Sequence, residues 1–377
     1  MAEAPSFDEQ MMHRAMQLAK KGRIIAPPNP WVGCVIVKDG NVIGEGYTHP
    51  AGQAHAEINA LKQVKEHAKG STVYVTLEPC SHFGRTPPCT KALIKAEVAR
   101  VVIGIRDPDS KVHGNGIAEL KNAGIEVVEG VASDLIEESL VPYLHHRRTG
   151  RPYCWAKAAV SIDGRVAAAD STSQWITSEE AQHDSHQLRA ESQAILIGAG
   201  TASIDQPSLT IRYSALVPPS PPLRVVLDAR GRVPAHGPLF DPFQAPTLMI
   251  TSKQCPENVQ NLWRQKGAEV AIVNNSLDHQ GVDLGEVLDL LGARHILQIL
   301  IEGGGTLLGS FLKDRLIQRL SLYIGPRILG SNGIPLFNDT SITTLKEAPI
   351  LAFLGSKNLG NSMRLDYSFE EFYANLL

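Results

Sequence analysis

The chain has 377 residues, with 43% hydrophobic and 20% charged side chains, a globular balance and a length suited to two domains. Its net charge of -3 offers no basic surplus for neutralising a phosphate backbone, which argues against a dedicated nucleic-acid binder. There is no apolar run of about 18 residues for a membrane span, and the N-terminal "MAEAPSFDEQMMHRAM" lacks the apolar core of a signal peptide. The five cysteines suit a reducing cytoplasm rather than a disulfide framework.

Residues 8–21 place Met11, Met12, Ala15, Leu18 and Ala19 on one stripe, predicting a helix that Gly22 ends. In "VGCVIVKDGNVIGEGY" two β-rich runs flank Asp39-Gly40, which predicts a hairpin. "AHAEINALKQVKEHA" predicts a helix from near Ala54, and "STVYVTLEP" a strand over Val73–Leu77. "PPCTKALIKAEV" predicts a helix with Pro88 in its first turn. "VARVVIGIRDP", "GIAELKNAG" and "IEVVEG" then read as strand, helix and strand. The alternation implies an α/β unit with a mixed sheet.

"LVPYLHHRRTGRPY" is basic and without an apolar period, so the domain boundary is set between 147 and 148. The segment 148–377 starts afresh with "CWAKAAVSIDGRVA". Strand candidates "AILIG", "LRVVLDA", "TLMITS", "EVAIV", "ILQILIEGGG" and "LSLYIGP" follow, with helices in "TSEEAQHDSHQLRAE" and "GTLLGSFLKD". "VPPSPPL" reads as a surface loop. This is a second α/β unit.

The chemistry gathers at His55, Glu57, Cys80 and Cys89. "HAE" opens a helix, so both of its polar side chains lean back beyond the helix end. The two cysteines follow a strand and approach a second helix start, where partial positive charge lowers a thiol pKa. One histidine and two thiolates form a three-ligand zinc site with one position open, the pattern of a catalytic metal. Zinc lowers the pKa of water at that position to roughly 7, and Glu57 stands ready as general acid/base. H-x-E with P-C-x-x-C is the zinc-deaminase signature; here the cysteine half is P-C-x8-C. Cys34, Cys154 and Cys255 read as buried thiols.

In the second half "IEGGGTLLG" is a strand, a glycine triplet and a helix, able to cradle a phosphate on bare N–H groups. It is not the dinucleotide fingerprint of a Rossmann unit. "AILIGAGTASIDQPSLTIR" adds a second glycine-rich strand end. Two such turns suggest a dinucleotide held outside a Rossmann fold.

The runs "NPWVGCVIVKDG", "HAE", "YVTLEPCSHFGRTPPC", "RDPDSKVHGNGI", "RTGRPY", "SIDGR", "WITS" and "IEGGG" together resemble the bifunctional riboflavin-biosynthesis deaminase–reductase family. The resemblance covers almost the whole chain. It implies a cytidine-deaminase-like three-layer domain over 1–147 and a dihydrofolate-reductase-like domain over 148–377. The first would hydrolyse the 2-amino group of 2,5-diamino-6-ribosylamino-4(3H)-pyrimidinone 5′-phosphate. The second would use NADPH to reduce the ribosyl group to ribityl.

Carried over by resemblance, Asn29, His82 and Arg85 hold the deaminase substrate. The nucleotide positions are Ala159, Trp175, Thr201 and Asp205, with Gly304, Gly305, Thr306, Leu307, Leu308, Gly309 and Ser310. Lys157, Ser173, Arg189, Leu209, Arg212 and Glu302 face the reductase substrate, with Arg189 and Arg212 suited to its 5′-phosphate. Two departures stand out. A family histidine slot is Thr48, with His49 one later, and a family serine contact to the cofactor is Ala229. Asp205, Lys157 and Glu302 are candidates for protonating during reduction.

Two other readings share the zinc site: a nucleoside or tRNA deaminase with a non-catalytic C-terminal domain, and a binding or assembly protein stabilised by zinc. The long cysteine loop counts against the first, and the acid at Glu57 against the second. The expected partner is a small phosphorylated pyrimidine, with no nucleic acid and no membrane. A homo-oligomer is also expected, with "LSLYIGPRILG" as a segment that could pair between subunits.

Overall fold

A computed structural model describes residues 4–110, 112–214, 217–277, 280–338, 340 and 342–369. The chain divides into two units, Met1–Gly150 and Arg151–Leu377.

In the first unit Ser6 and Glu9 cap each other's backbone N–H groups and start α1 (Phe7–Gly22), a reciprocal box that satisfies orphan donors. The hairpin follows as β1 (Gly33–Lys38) and β2 (Asn41–Tyr47), with Asp39 and Gly40 both at positive φ as the tight turn requires. Then come α2 (Ala56–Val64), β3 (Thr72–Leu77), α3 (Cys89–Lys95), β4 (Arg100–Ile105), α4 (Asn115–Asn122), β5 (Glu126–Glu129) and α5 (Ser133–Thr149). The sheet order is β2-β1-β3-β4-β5. β1 is antiparallel to both neighbours, and β3, β4 and β5 are parallel. This is the mixed sheet the alternation implied.

The stretch read as the domain boundary for want of an apolar period is, over residues 140–149, the second half of α5, which runs on to Thr149. Its apolar period is obscured because Tyr143, His145 and His146 are buried alongside Leu140 and Leu144. Buried polar side chains defeat a pattern read from hydrophobicity alone.

The second unit contains β6 (Tyr153–Val160), β7 (Arg165–Ala167), α6 (Glu179–Ala190), β8 (Ala194–Gly198), α7 (Ala199–Ile204), β9 (Leu223–Leu227) and β10 (Thr247–Thr251). It continues with α8 (Glu257–Gln265), β11 (Glu269–Ile272), α9 (Leu284–Ala293), β12 (Gln298–Ile301), α10 (Gly305–Lys313), β13 (Arg319–Ile324), β14 (Ile334–Pro335), β15 (Leu351–Leu359) and β16 (Ser362–Phe369). Among the described residues the main sheet has the order β11-β10-β9-β8-β12-β6-β13-β16-β15. It is parallel from β11 to β13, and β16 and β15 add antiparallel. The parallel strands are buried on both faces, so they read as continuous apolar runs such as "AILI".

Two strands here are not among the sequence expectations, and one expectation changes. Strands β15 and β16 carry no clear strand pattern in the sequence, because a bulge between Phe353 and Gly355 breaks the alternation of the first and charged residues sit within the second. The "LSLYIGP" strand is β13, paired on one side with β6 and on the other with β16, so it has no edge to offer another subunit. The exposed edge on that side is β15, where Phe353 is exposed.

Candidate active sites

In the first unit the metal-type cluster is built at three element ends. His55 is the N-cap of α2, with extended backbone and no capping hydrogen bond from its side chain, so its ring is available beyond the helix end. α2 can lie close to β2 because residue 46 is glycine: an added Cβ there would stand 2.1 Å from the Ala56 carbonyl oxygen. Cys80 follows β3 and Cys89 is the first residue of α3, with Pro88 as its N-cap. The Cys89 backbone N–H donates to Cys80 Sγ at 3.4 Å, and the Thr90 N–H donates to the Cys80 carbonyl at 3.2 Å. Cys80 is thus pinned at a helix N-terminus, as a thiolate requires.

His55 Nδ1 stands 3.6 Å from Cys80 Sγ and 3.5 Å from Cys89 Sγ, and the three ligand atoms all lie within 4.8 Å of one another. A tetrahedral zinc with bonds of about 2.3 Å to sulfur and about 2.05 Å to nitrogen separates N from S by about 3.6 Å. The side chains are therefore spaced to hold that ion. Hydrogen bonds from Cys89, and then from the His55 ring, pull the Cys80 thiol well below its ordinary pKa. Cys89 in turn is raised. Glu57, buried in the first turn of α2, has its carboxyl pushed up by burial and by the adjacent Cys80 charge.

Glu78, which the cysteine motif alone does not single out, anchors the loop. Its buried carboxylate accepts N–H bonds from Gly114 and Gly116 at 3.0 Å, and from Asp107 and Ile117 at 3.3 Å. It caps α4, whose own N-cap is a glycine with no side chain. Gly116 permits that contact, since a Cβ there would stand 2.2 Å from the Pro79 carbonyl oxygen. The residue before Cys80 is thereby clamped to α4. Nearby, Asp107 accepts from Tyr143 Oη at 3.0 Å, and burial lifts its carboxyl to about 6.

Asn29 sits in the turn before β1, its N–H bonded to the Ala26 carbonyl at 3.0 Å. In the loop between the cysteines, Arg85 is exposed and His82 half-buried, with a His82 Nδ1 that is shielded and unpartnered. Thr48 is buried and accepts the Val32 N–H at 3.1 Å, a structural role. Cys34 is fully buried.

The second unit holds a cavity of about 1030 Å³ along the carboxyl ends of β6, β12, β8 and β9, where a parallel sheet places its ligands. Of the expected nucleotide positions, Ala159, Trp175, Thr201, Asp205, Gly304, Gly305, Thr306, Leu307 and Ser310 line it. Leu308 and Gly309 face the other way: Leu308 is fully buried in the core, and a Cβ on Gly309 would stand 1.8 Å from the Asn338 carbonyl oxygen. They shape the helix rather than the lining. Gly304 caps α10 without a side chain, leaving the first helical N–H groups for an anion.

Among the expected substrate residues, Lys157, Ser173 and Glu302 line the cavity and Arg189, Leu209 and Arg212 do not. Register explains the first pairing, since Ile301 opposes Ala156 and so Glu302 falls beside Lys157. Arg189 grips Glu302 from behind, Nε to Oε1 at 2.6 Å and Nη2 to Oε2 at 2.8 Å, and its Nη1 donates to the Thr210 carbonyl. Burial opposes ionisation of Glu302, but Arg189 and Lys157 outweigh it and hold the carboxyl at about 2. Burial lowers Lys157, partly offset by Glu302. Arg212 is exposed, and its N–H donates to His186 Nδ1 at 3.1 Å. Leu209 is buried. His186 joins this group without a motif to mark it; burial and then the charges of Arg189 and Arg212 lower it to about 4.

A model of the RibD C-terminal domain matches residues 152–365, and one of the cytidine and deoxycytidylate deaminase zinc-binding region matches residues 5–105. The riboflavin biosynthesis protein RibD of Escherichia coli is 42% identical, over 94% of this chain and 97% of its own. The protein of the same name from Chlamydia pneumoniae is 46% identical, over 95% and 96%. The chain belongs to the RibD family. Among solved structures, Acinetobacter baumannii RibD is similar at a TM-score of 0.87 and 37% identity, covering 96% of this chain and 99% of its own. A Thermotoga maritima diaminohydroxyphosphoribosylaminopyrimidine deaminase/5-amino-6-(5-phosphoribosylamino)uracil reductase is similar at 0.83 and 30%, with the same coverage.

The family pairs a deaminase with a reductase in riboflavin biosynthesis, and this chain carries both halves: a zinc-binding deaminase domain and a reductase domain of the NADPH-dependent type. The readings of a deaminase with an idle C-terminal domain, or of a zinc-stabilised assembly protein, are set aside by a match that covers both halves. No helix among the described residues is long and apolar enough to cross a membrane.

Proposed function

We propose that this chain carries out two successive reactions on a small phosphorylated pyrimidine. The first, assigned to residues 1–147, is hydrolytic deamination of 2,5-diamino-6-ribosylamino-4(3H)-pyrimidinone 5′-phosphate. The second, assigned to residues 148–377, is NADPH-dependent reduction of the ribosyl side chain to ribityl. The order agrees with the Thermotoga maritima relative, a deaminase of a diaminopyrimidine and a reductase of an aminouracil: one amino group is gone before the reduction. The observation that carries the reading is the spacing of His55, Cys80 and Cys89 around a zinc-sized gap with Glu57 buried beside it.

His55, Cys80 and Cys89 would hold zinc, which when bound supplies Lewis acidity that makes water a nucleophile near neutral pH. Glu57 takes the proton of the attacking water and returns it to the departing amine. Its burial keeps that proton from bulk solvent. Asn29, His82 and Arg85 orient the substrate, Arg85 through a planar fork suited to a phosphate.

In the reductase half, the bare N-terminus of α10 would hold the pyrophosphate of NADPH, which when bound would supply the hydride. Lys157 holds the substrate at the cavity end beside Glu302, and Ser173 is a further lining residue for it. With Arg189 bound to Glu302, the exposed Arg212 is the better placed of the two arginines for the 5′-phosphate. A cytoplasmic setting accords with the five thiols, all free. A homo-oligomer would form through the β15 edge. The test is Glu57→Gln: the variant binds zinc at the wild-type ratio and loses ammonia release by about 100-fold or more. Full ammonia release in that variant contradicts the deaminase mechanism.

A further inference from the structure

We infer that Arg232 is the residue that receives the 2′-phosphate of NADPH and so sets the preference for NADPH over NADH. The inference rests on the reductase reading and identifies which end of the cavity takes which end of the cofactor.

The cavity has a direction. Lys157 and Glu302, on β6 and just after β12, form one end, and the N-terminus of α10 follows β12. β9 lies two strands farther across the sheet, beyond β8. Two strand spacings are about 10 Å, a distance that a nucleoside spans from its pyrophosphate. With the reacting ring beside Lys157 and the pyrophosphate at Gly304–Thr306, the adenosine half falls at the end of β9, where Leu227, Ala229 and Arg232 line the wall.

A 2′-phosphate carries nearly two negative charges and needs a cation. Among the described residues the cations lining the cavity are Lys157, Arg232 and Lys313. Lys157 is at the opposite end, beside Glu302. Lys313 ends α10 next to Asp314, where the helix dipole is negative. Arg232 remains. Its Nε stands 3.7 Å from Asp228 Oδ1, too far for a good hydrogen bond, and its side chain is 63% exposed.

The turn that presents it is rigid. The fully buried Asp228 carboxylate accepts the N–H groups of Val233 at 2.7 Å, Gly231 at 3.1 Å and Arg230 at 3.3 Å. Ser252 Oγ donates to the Ala229 carbonyl at 2.8 Å. Gly231 has φ of 76°, and a Cβ there would stand 2.8 Å from Cys255 Sγ. Arg230, on the other side of that glycine, donates to Gln280 at 3.1 Å.

Fluorescence titration of the full-length protein with NADPH and with NADH, in wild type, Arg232→Ala and Arg232→Lys, tests the assignment. Circular dichroism establishes that each variant is folded. The alanine variant is expected to weaken NADPH by about 10- to 100-fold, the value of a charge-assisted contact, and to leave NADH unchanged. The lysine variant is expected to fall between. Adenosine 2′,5′-bisphosphate should compete against NADPH in the wild type and lose its advantage over adenosine 5′-diphosphate in the alanine variant. Equal losses for NADPH and NADH, or no loss for either, overturns the assignment while leaving the reductase reading intact. Failure of the wild-type protein to bind either nucleotide overturns the reductase reading itself. A loss confined to ribose 5-phosphate binding assigns Arg232 to the substrate instead and also overturns the proposal.

Discussion

Arg189 and Glu302 meet in a two-pronged ion pair at the back of the reductase cavity, with both side chains largely shielded from water. Removing one partner of such a pair strands the other charge in a poor solvent. Glu302→Ala should cost about 3–5 kcal/mol of stability in urea unfolding. The paired replacement Arg189→Met with Glu302→Leu should recover most of that loss. If the single variant costs nothing, the pair is not buried as described.

The same pair sets a pH response. The Glu302 carboxyl is held at about 2, below its ordinary 4.5. Its folded state therefore binds protons less readily than the unfolded chain. The stabilisation is fully present above pH 4.5 and is lost as pH falls from there toward 2. The acid limb of the stability curve should flatten in Glu302→Gln relative to wild type, as read by thermal melts from pH 5 to 2.5.

His186 acts over a higher window. Its pKa in the folded protein is about 4, against an ordinary 6.5; the facing groups are Arg189, Arg212 and Lys157, opposed by Glu302. The neutral ring is favoured by folding, so the contribution is complete above pH 6.5 and fades as pH drops toward 4. His186→Asn should lower the melting temperature at pH 7.5 and show less further loss between pH 6.5 and 4.5 than the wild type. Parallel curves for the two proteins would contradict this.

Gly116 and Glu78 hold the Cys80 loop without touching a metal. Gly116→Ala places a methyl against the Pro79 carbonyl, and Glu78→Ala uncaps α4. Each variant should weaken zinc in chelator competition by about 10-fold or more, the usual effect of removing a group that orients a ligand. Pro79 and α4 are not coupled if zinc affinity stays at the wild-type value while only the melting temperature drops.

Loss of a ligand itself should be more severe. Cys80→Ser and Cys89→Ser each remove one of the two thiolate donors, and the purified variants should carry little zinc, measured by elemental analysis. NADPH binding, tracked separately by fluorescence, should be unaffected in both. Retained stoichiometric zinc would mean that the cluster is not the metal site.

Much of this was legible in the chain because the informative residues lie close together in sequence. "HAE" and "PC" announced two helix starts, and the alternation of elements announced the first sheet and the parallel part of the second, but not β15 and β16. What escaped depends on partners far apart. Glu78 bonds residues about 30–40 positions on, and Arg189 meets Glu302 across 113 positions. Nothing local marks such pairs. Leu308 and Gly309 show the converse: both belong to a motif that touches a cavity, but a helix turns every third or fourth residue away from it.

The most direct test supplies the purified full-length protein with the diaminopyrimidine ribosylamino phosphate and NADPH and follows ammonia release and NADPH loss together. Both products should appear in equal final amounts, with ammonia leading, and Glu57→Gln should halt both because the reductase then lacks its substrate. Ammonia released in full with no NADPH consumed, or NADPH consumed in the Glu57→Gln protein, would contradict the account.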